Sequence, residues 1–231
     1  MNTVFAEGEQ KIPYPANLYT ESEGASAAPS EINHDNSIYF VKNDFYNMKS
    51  TADRIILKKY PTYQQTTEYT CDPAAGLTVL QYYGNKNFDE MSLAKEKKTK
   101  PYPIGSNPKD MAEFFSKIGW EVDSSLNRKP FETYDDFKDF VLENLIDGTP
   151  IMVENVEWGG HLRVIIGYDT LGTENTLDDV LIMADSYDTS DHCQDGYTVG
   201  NGERFFSMWF DYSMLPKKQR NQPWIIAKPK V

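Results

Sequence analysis

Two cysteines and three histidines occur in the 231-residue chain, and two of these five residues sit where acyl-transfer chemistry could be done. Cys71 precedes Pro73 and an apolar run of Ala75, Val79 and Tyr82 or Tyr83 that stops at Gly84. Pro near a first turn and Gly at the stop mark a helix. Cys71 therefore stands at a helix N-terminus, where free N–H groups and the macrodipole favour a thiolate. Gln65 lies six positions earlier. A loop of that length can fold back so that the glutamine amide points to where an oxyanion develops beside the sulfur. Gln64, one register away, competes for that part, and Gln65 is preferred. Alone, Cys71 would read as a small buried residue capping a helix; the glutamine and a histidine change the reading.

That histidine is His161, which follows Trp158-Gly159-Gly160 and begins the apolar run Leu162 to Tyr168. The two glycines keep the backbone low, so a substrate chain can approach the ring. His34 falls in the polar lead-in, and His192 adjoins Cys193, where neighbouring side chains on an extended backbone diverge. A thiol–imidazole pair needs a third group to fix the ring tautomer. Asp185 ends the run Val180–Ala184, and antiparallel pairing with the strand begun by His161 would bring its carboxylate to the imidazole. Asp169 should lie at the far end of that strand, and Asp188 is a weaker candidate.

Four helices are expected to carry the first half: one from Cys71, one over Asp89–Lys97, one opened by Asn107-Pro108 with Met111, Phe114 and Phe115 inward, and one from about Thr133 to Gly148. After Gly148 the period changes. Strands are predicted over Pro150–Asn155, His161–Tyr168 and Asp179–Asp185, with two more at Arg204–Trp209 and Trp224–Lys228 and a short early one at Ser37–Val41. A helical first half and an antiparallel β-rich second half give the α+β class. Residues 1–36 read as a flexible lead-in and 37–231 as one catalytic domain. Val4-Phe5-Ala6 resembles the tail of an export-signal cleavage site, although the apolar stretch that should precede it is absent.

Taken in order, Gln65…Cys71-Asp72-Pro73-Ala74-Ala75, Gly160-His161-Leu162-Arg163-Val164-Ile165-Ile166-Gly167-Tyr168-Asp169 and Ala184-Asp185 resemble the papain-like cysteine peptidases of the bacteriocin-leader-processing type. The match is best to their "like" branch of bacterial secreted and surface proteins, within a superfamily shared with the phytochelatin synthases. Phe205–Trp209 and Trp224–Ala227 resemble that branch's closing strands. The resemblance spans roughly residues 60–229 and implies a papain-like fold. It also implies a Cys71–His161–Asp185 triad, Gln65 in the oxyanion hole, a peptide or protein substrate and a bacterial cell-surface or secreted setting, with a cytoplasmic one as the alternative. The family usually has Gly after the nucleophile; here Asp72 stands there, a carboxylate that opposes a neighbouring thiolate and can crowd a subsite.

Composition narrows the rest. A formal charge of −12 argues against nucleic acid, which needs a basic footprint, and mildly favours neutral or basic substrates. No stretch reaches membrane-spanning length. A monomer without cofactor or metal is expected: the acidic run Asp185, Asp188, Asp191, His192, Asp195 lacks calcium-loop spacing and reads as a solvated loop, one able to cover a cleft. Three readings thus remain open: hydrolysis, transpeptidation by the same residues, and a binding module, which Asp72 favours. If the chain is an enzyme, iodoacetamide should alkylate Cys71 well below pH 8; in a binding module it would react no faster than a free thiol at neutral pH.

Overall fold

Apolar runs of helical and strand period must bury their faces against one another, and in this chain they do so around one long strand. The computed structural model describes residues 10–20, 22–28, 43–101, 105–189 and 193–230. The helices of the first half follow their sequence signals. α1 (Cys71–Tyr82) is buried without a break from Asp72 to Leu80. That is wider than the single face marked by Ala75 and Val79, so α1 is a core helix. α2 (Glu90–Glu96) begins where Asp89 and Ser92 cap each other reciprocally. α3 (Pro108–Lys117) has Asn107 as its cap and buries Met111, Phe114 and Phe115. α4 (Tyr134–Ile146) opens on a reciprocal Thr133–Asp136 cap and buries Phe137, Val141 and Leu145. Each cap satisfies N–H groups that the helix itself cannot.

The second half supplies most of an antiparallel sheet. Its strands are β1 (Arg54–Ile56), β2 (Glu121–Ser124), β3 (Ile151–Asn155), β4 (His161–Asp169), β5 (Val180–Ala184), β6 (Tyr197–Asn201) and β7 (Trp224–Lys228), in the order β2-β7-β3-β4-β5-β6. β3 pairs with β4 from His161 to Ile165, and β1 takes over from Gly167 to Asp169. Every residue from His161 to Tyr168 is buried. Because alternate residues face opposite ways, both faces of β4 are covered, and α1 and α4 pack against it. The fold is α+β, as the change of period at Gly148 implies.

Several expectations change. Residues 204–209 are not a strand, and of the two closing strands the sequence suggested, only Trp224–Lys228 is one. α5 (Gly202–Ser207) occupies the other place, capped by the Asn201 side chain accepting from Arg204 N. Phe205, Ser207 and Trp209 imitate strand alternation, but Phe205 and Trp209 are also four apart, and their rings meet at 5.5 Å in the core. β1, β2 and β6 lack a sequence signal because they are short, polar or glycine-bearing edge segments. The expected strand at 37–41 lies outside the described residues.

Residues 10–20 and 22–28 lie as a strap against the loop before α1. Ile12 N donates to Thr62 O and Thr62 N to Gln10 O. Farther along, Ser26 N donates to Gln65 O and Gly24 N to Glu68 Oε1 at 2.9 Å. Gly24 has φ +72° and ψ −178°, a region that is nearly glycine-only. A Cβ there would fall 2.6 Å from the Thr66 carbonyl carbon and the Thr67 nitrogen. Gly24→Ala is expected to lift the strap at about 1–3 kcal/mol, read as a thermal midpoint several degrees lower and faster proteolysis within residues 10–28; an unchanged midpoint and cleavage rate would contradict this docking.

Candidate active site

The loop that delivers Cys71 is held by one buried carboxylate. Glu90, at the start of α2, is fully buried. It accepts from Thr66 N at 2.8 Å, Thr66 Oγ1 at 2.6 Å, Thr70 Oγ1 at 2.5 Å and Tyr63 Oη at 2.9 Å. Burying a carboxylate without a cation is costly unless donors surround it. Here the donors are drawn from the 63–70 loop, so satisfying Glu90 fixes the loop's path. Cys71 follows as the first residue of α1, partly exposed, with a backbone N–H that has no acceptor one turn earlier.

Register does the corresponding work for the imidazole. Val164 pairs with Ala184, so Asp185, one step beyond β5, comes opposite Arg163 and on the same face as His161. His161 Nε2 lies 2.7 Å from Asp185 Oδ1, and both residues are buried. The Cys71 side chain lines the same cleft as the ring and acts on its charge. Asp185 is held in turn by Tyr187 N at 2.8 Å, Thr198 Oγ1 at 3.3 Å and the Arg163 guanidinium at 3.7 Å. Burial alone would push the His161 pKa down; the charge and hydrogen bond of Asp185, with a further contribution from Cys71, prevail and raise it to about 9. Burial likewise pushes Asp185 up, but the His161 charge and hydrogen bond, Arg163 and the Tyr187 N–H hold it near 2.

Gln65 lines the same cleft as Cys71 and His161. Its carboxamide oxygen accepts from Ser186 Oγ at 2.9 Å, and its nitrogen donates to Thr67 O at 2.8 Å. An amide nitrogen carries two hydrogens, which leaves a second N–H to donate. Gln64 is turned elsewhere, donating to Asp188 O at 2.8 Å. Of the other aspartates weighed as partners for the ring, Asp169 pairs with Arg54 at the opposite end of β4, and Asp188 accepts from Gly196 N. Cys71 and Cys193 are not joined in a disulfide.

Asp72 does not confront the sulfur as an uncompensated charge. Its Oδ2 contacts both Lys97 Nζ and Ser106 Oγ, and the Lys97 side chain is itself buried. Asp72 and Ser106 both line the cleft, so the position after Cys71 shapes a wall. Among the described residues no group of His, Cys, Asp and Glu could hold a metal ion; Asp191 and His192 fall outside them. The acidic loop touches the site through Tyr187, which lines the cleft and donates to Glu68 Oε2 at 2.9 Å.

Sequence reasoning missed Glu90, Ser186 and Glu154. The signal for Glu154 is a charge inside the apolar run Ile151-Met152-Val153-Glu154. Glu90 and Ser186 carry no local signal, because what matters is the distant loop they bind.

The model of the Peptidase_C39 like family matches residues 57–212. Among solved structures, the peptidase domain of Streptococcus ComA, a bi-functional ABC transporter involved in a quorum sensing pathway, is similar in fold. It is 22% identical with a TM-score of 0.50, over 74% of this chain and 99% of that one. The peptidase domain of Streptococcus mutans ComA is 18% identical with a TM-score of 0.42, over 73% and 98% of the two chains. No curated protein matches the chain. The likeness makes the α+β fold a papain-like one.

The His161–Asp185 pair has a pH signature. A pKa raised from 6.5 to about 9 contributes stability that is complete below 6.5 and lost as pH rises through 9. A carboxyl lowered from 3.8 to about 2 contributes stability that is complete above 3.8 and lost as pH falls through 2. The thermal midpoint should therefore fall between pH 6.5 and 9, and Asp185→Asn should flatten that limb. Calorimetry across the window checks it, and equal slopes in the two proteins would refute the pairing.

Proposed function

Because the chain belongs to the Peptidase_C39 like family, and so to the cysteine peptidases, we propose that it hydrolyses peptide bonds with Cys71 as nucleophile, His161 as acid and base, Asp185 as the group orienting the ring, and Gln65 as an oxyanion donor. The observation that carries this reading is the buried His161 imidazole, hydrogen-bonded to Asp185 and lining one cleft with Cys71 and Gln65. A ring held that way has its tautomer and plane fixed, and its raised pKa favours the protonated state that a departing amine needs.

His161 takes the Cys71 proton, the thiolate attacks the carbonyl carbon, a C–S bond forms, and the carbonyl π electrons move to oxygen. The Cys71 backbone N–H and the remaining Gln65 N–H receive that charge in a partly dry site, where fixed donors act most strongly. Collapse re-forms the carbonyl and breaks the C–N bond, and the imidazolium gives its proton to the leaving amine. Water then attacks the thioester while His161 takes its proton; the C–S bond breaks and the acid departs. The Lys97 ion pair of Asp72 supports an enzyme over a binding module, since it removes the charge that argued against a thiolate at this helix end.

Cys71→Ala should abolish cleavage of an unfolded protein such as reduced casein, followed by mass spectrometry. Gln65→Ala should lower kcat by roughly 100- to 1,000-fold, about 2.7–4 kcal/mol, while thiol alkylation persists. Full hydrolysis by Cys71→Ala would reject the assignment.

A further inference from the structure

Glu154 is unlike the other buried acids of this protein. It lies on β3 beside the site, opposite Leu162, is 7% exposed and lines the cleft. Among the described residues its carboxyl has no hydrogen bond and no ion pair, whereas Glu90, Asp185 and Asp179 are each held by donors or cations. A second carboxylate stands close by. Asp211 is fully buried; its Oδ1 accepts from Ser213 and Met214, but its Oδ2 has no partner. The two acids meet at Gly160, one residue before His161. A Cβ added there would lie 2.5 Å from Asp211 Oδ2, 3.6 Å from Glu154 Oε1 and 3.4 Å from Met214 Cγ. Glycine at 160, with φ +107°, lets the Asp211 carboxylate come this close to the backbone. Asp72, which also lines the cleft, has its Oδ1 without a partner.

Leaving a carboxyl dry and unpartnered destabilises a protein and persists where function uses it. Burial raises the Glu154 pKa well above the carboxylate range, Cys71, Asp72 and Asp211 add to the rise, and Lys97 opposes it. Three acids thus share one nearby ammonium, and that ammonium is already engaged by Asp72. What the pocket lacks is a second positive charge bearing N–H donors. Met214 and Leu162 line the same cleft and would cover an aliphatic stem.

We propose that the part of the cleft bounded by Glu154, Gly160, Leu162 and Met214, with the buried Asp211 carboxylate adjoining it at Gly160, is a subsite for a cationic group of the peptide, either a lysine or arginine side chain or a free α-amino group, with Glu154 as the specificity-determining residue. The inference rests on the peptidase reading of the cleft for its place in the reaction, but not for its chemistry. The group enters as a cation and meets the carboxylates as a charge-assisted hydrogen-bond donor. A neutral chain of the same length would leave the acids unpaired, which is how a polar site rejects its analogue.

The full-length Cys71→Ala protein, unable to turn over, allows binding to be read apart from catalysis. It is titrated by fluorescence anisotropy with labelled peptides of alanine, serine, leucine and glycine that carry one lysine or one norleucine at each position, with the amino end free or acetylated. At one position lysine should bind at least about tenfold more tightly than norleucine, and adding Glu154→Gln should reduce that ratio to about one. If the preference is instead for a free over an acetylated amino end, and is likewise lost in Glu154→Gln, the cation is the α-amine. Equal affinities throughout, absence of binding, or a lysine preference that survives both Glu154→Gln and Asp211→Asn overturns the subsite. Peptides that bind with this preference but are not cut by the wild-type protein would leave the subsite standing and refute the peptidase reading.

Discussion

A buried imidazole held 2.7 Å from a buried carboxylate is the interaction on which the site depends. Neither partner would keep its charge alone in a dry interior, because the cost of desolvation exceeds what water-like screening could return. Together, and with Arg163, Thr198 and the Tyr187 N–H around Asp185, they keep it. That requirement fixes much else. β4 and β5 must pair in the register that sets Val164 against Ala184; a slip of one residue would send His161 and Asp185 to opposite faces of the sheet.

The same rule, that a buried charge must find donors or a counter-charge, organises the surroundings. Glu90 gathers the 63–70 loop by accepting its hydroxyls and an amide. Asp72 is paired with Lys97 and Ser106. On the far side of the sheet's long strand, Asp179 takes Lys138 and the Tyr168 hydroxyl, tying α4 to β4. These contacts act as structural joints set by distant residues; against that background the Glu154 carboxyl, which has no hydrogen bond among the described residues, and the unpartnered Oδ2 of Asp211 stand out.

The strap formed by residues 10–20 and 22–28 belongs to the site as much as to the fold. It donates to the Gln65 carbonyl and the Glu68 carboxylate, while Ser186 and Tyr187 approach the same two residues from the end of β5. Gln65 is therefore gripped from both sides, and its free N–H is positioned by residues more than a hundred positions away in the chain. Preorganised donors of this kind act without reorganising as charge develops.

The sequence alone determined the helices whose caps and stops are local, such as Asn107-Pro108 and Thr133…Asp136, and the strands that are unbroken apolar runs. It also singled out Cys71, His161, Asp185 and Gln65, because a helix start, a strand start, a strand end and a short loop are readable in one dimension; the structure makes these four neighbours. Tertiary structure decided the rest. Gly202–Ser207 became a helix, and Phe205 in it meets Trp209 just beyond it in the core. β1 exists only because β4 outruns β3, and the polar strap is ordered only because Thr62 to Glu68 offer it partners. The meaning of Glu90, Glu154 and Asp211 came last, since the energy of a carboxylate depends on how much water it loses and which groups replace that water, and neither quantity exists until distant segments have packed.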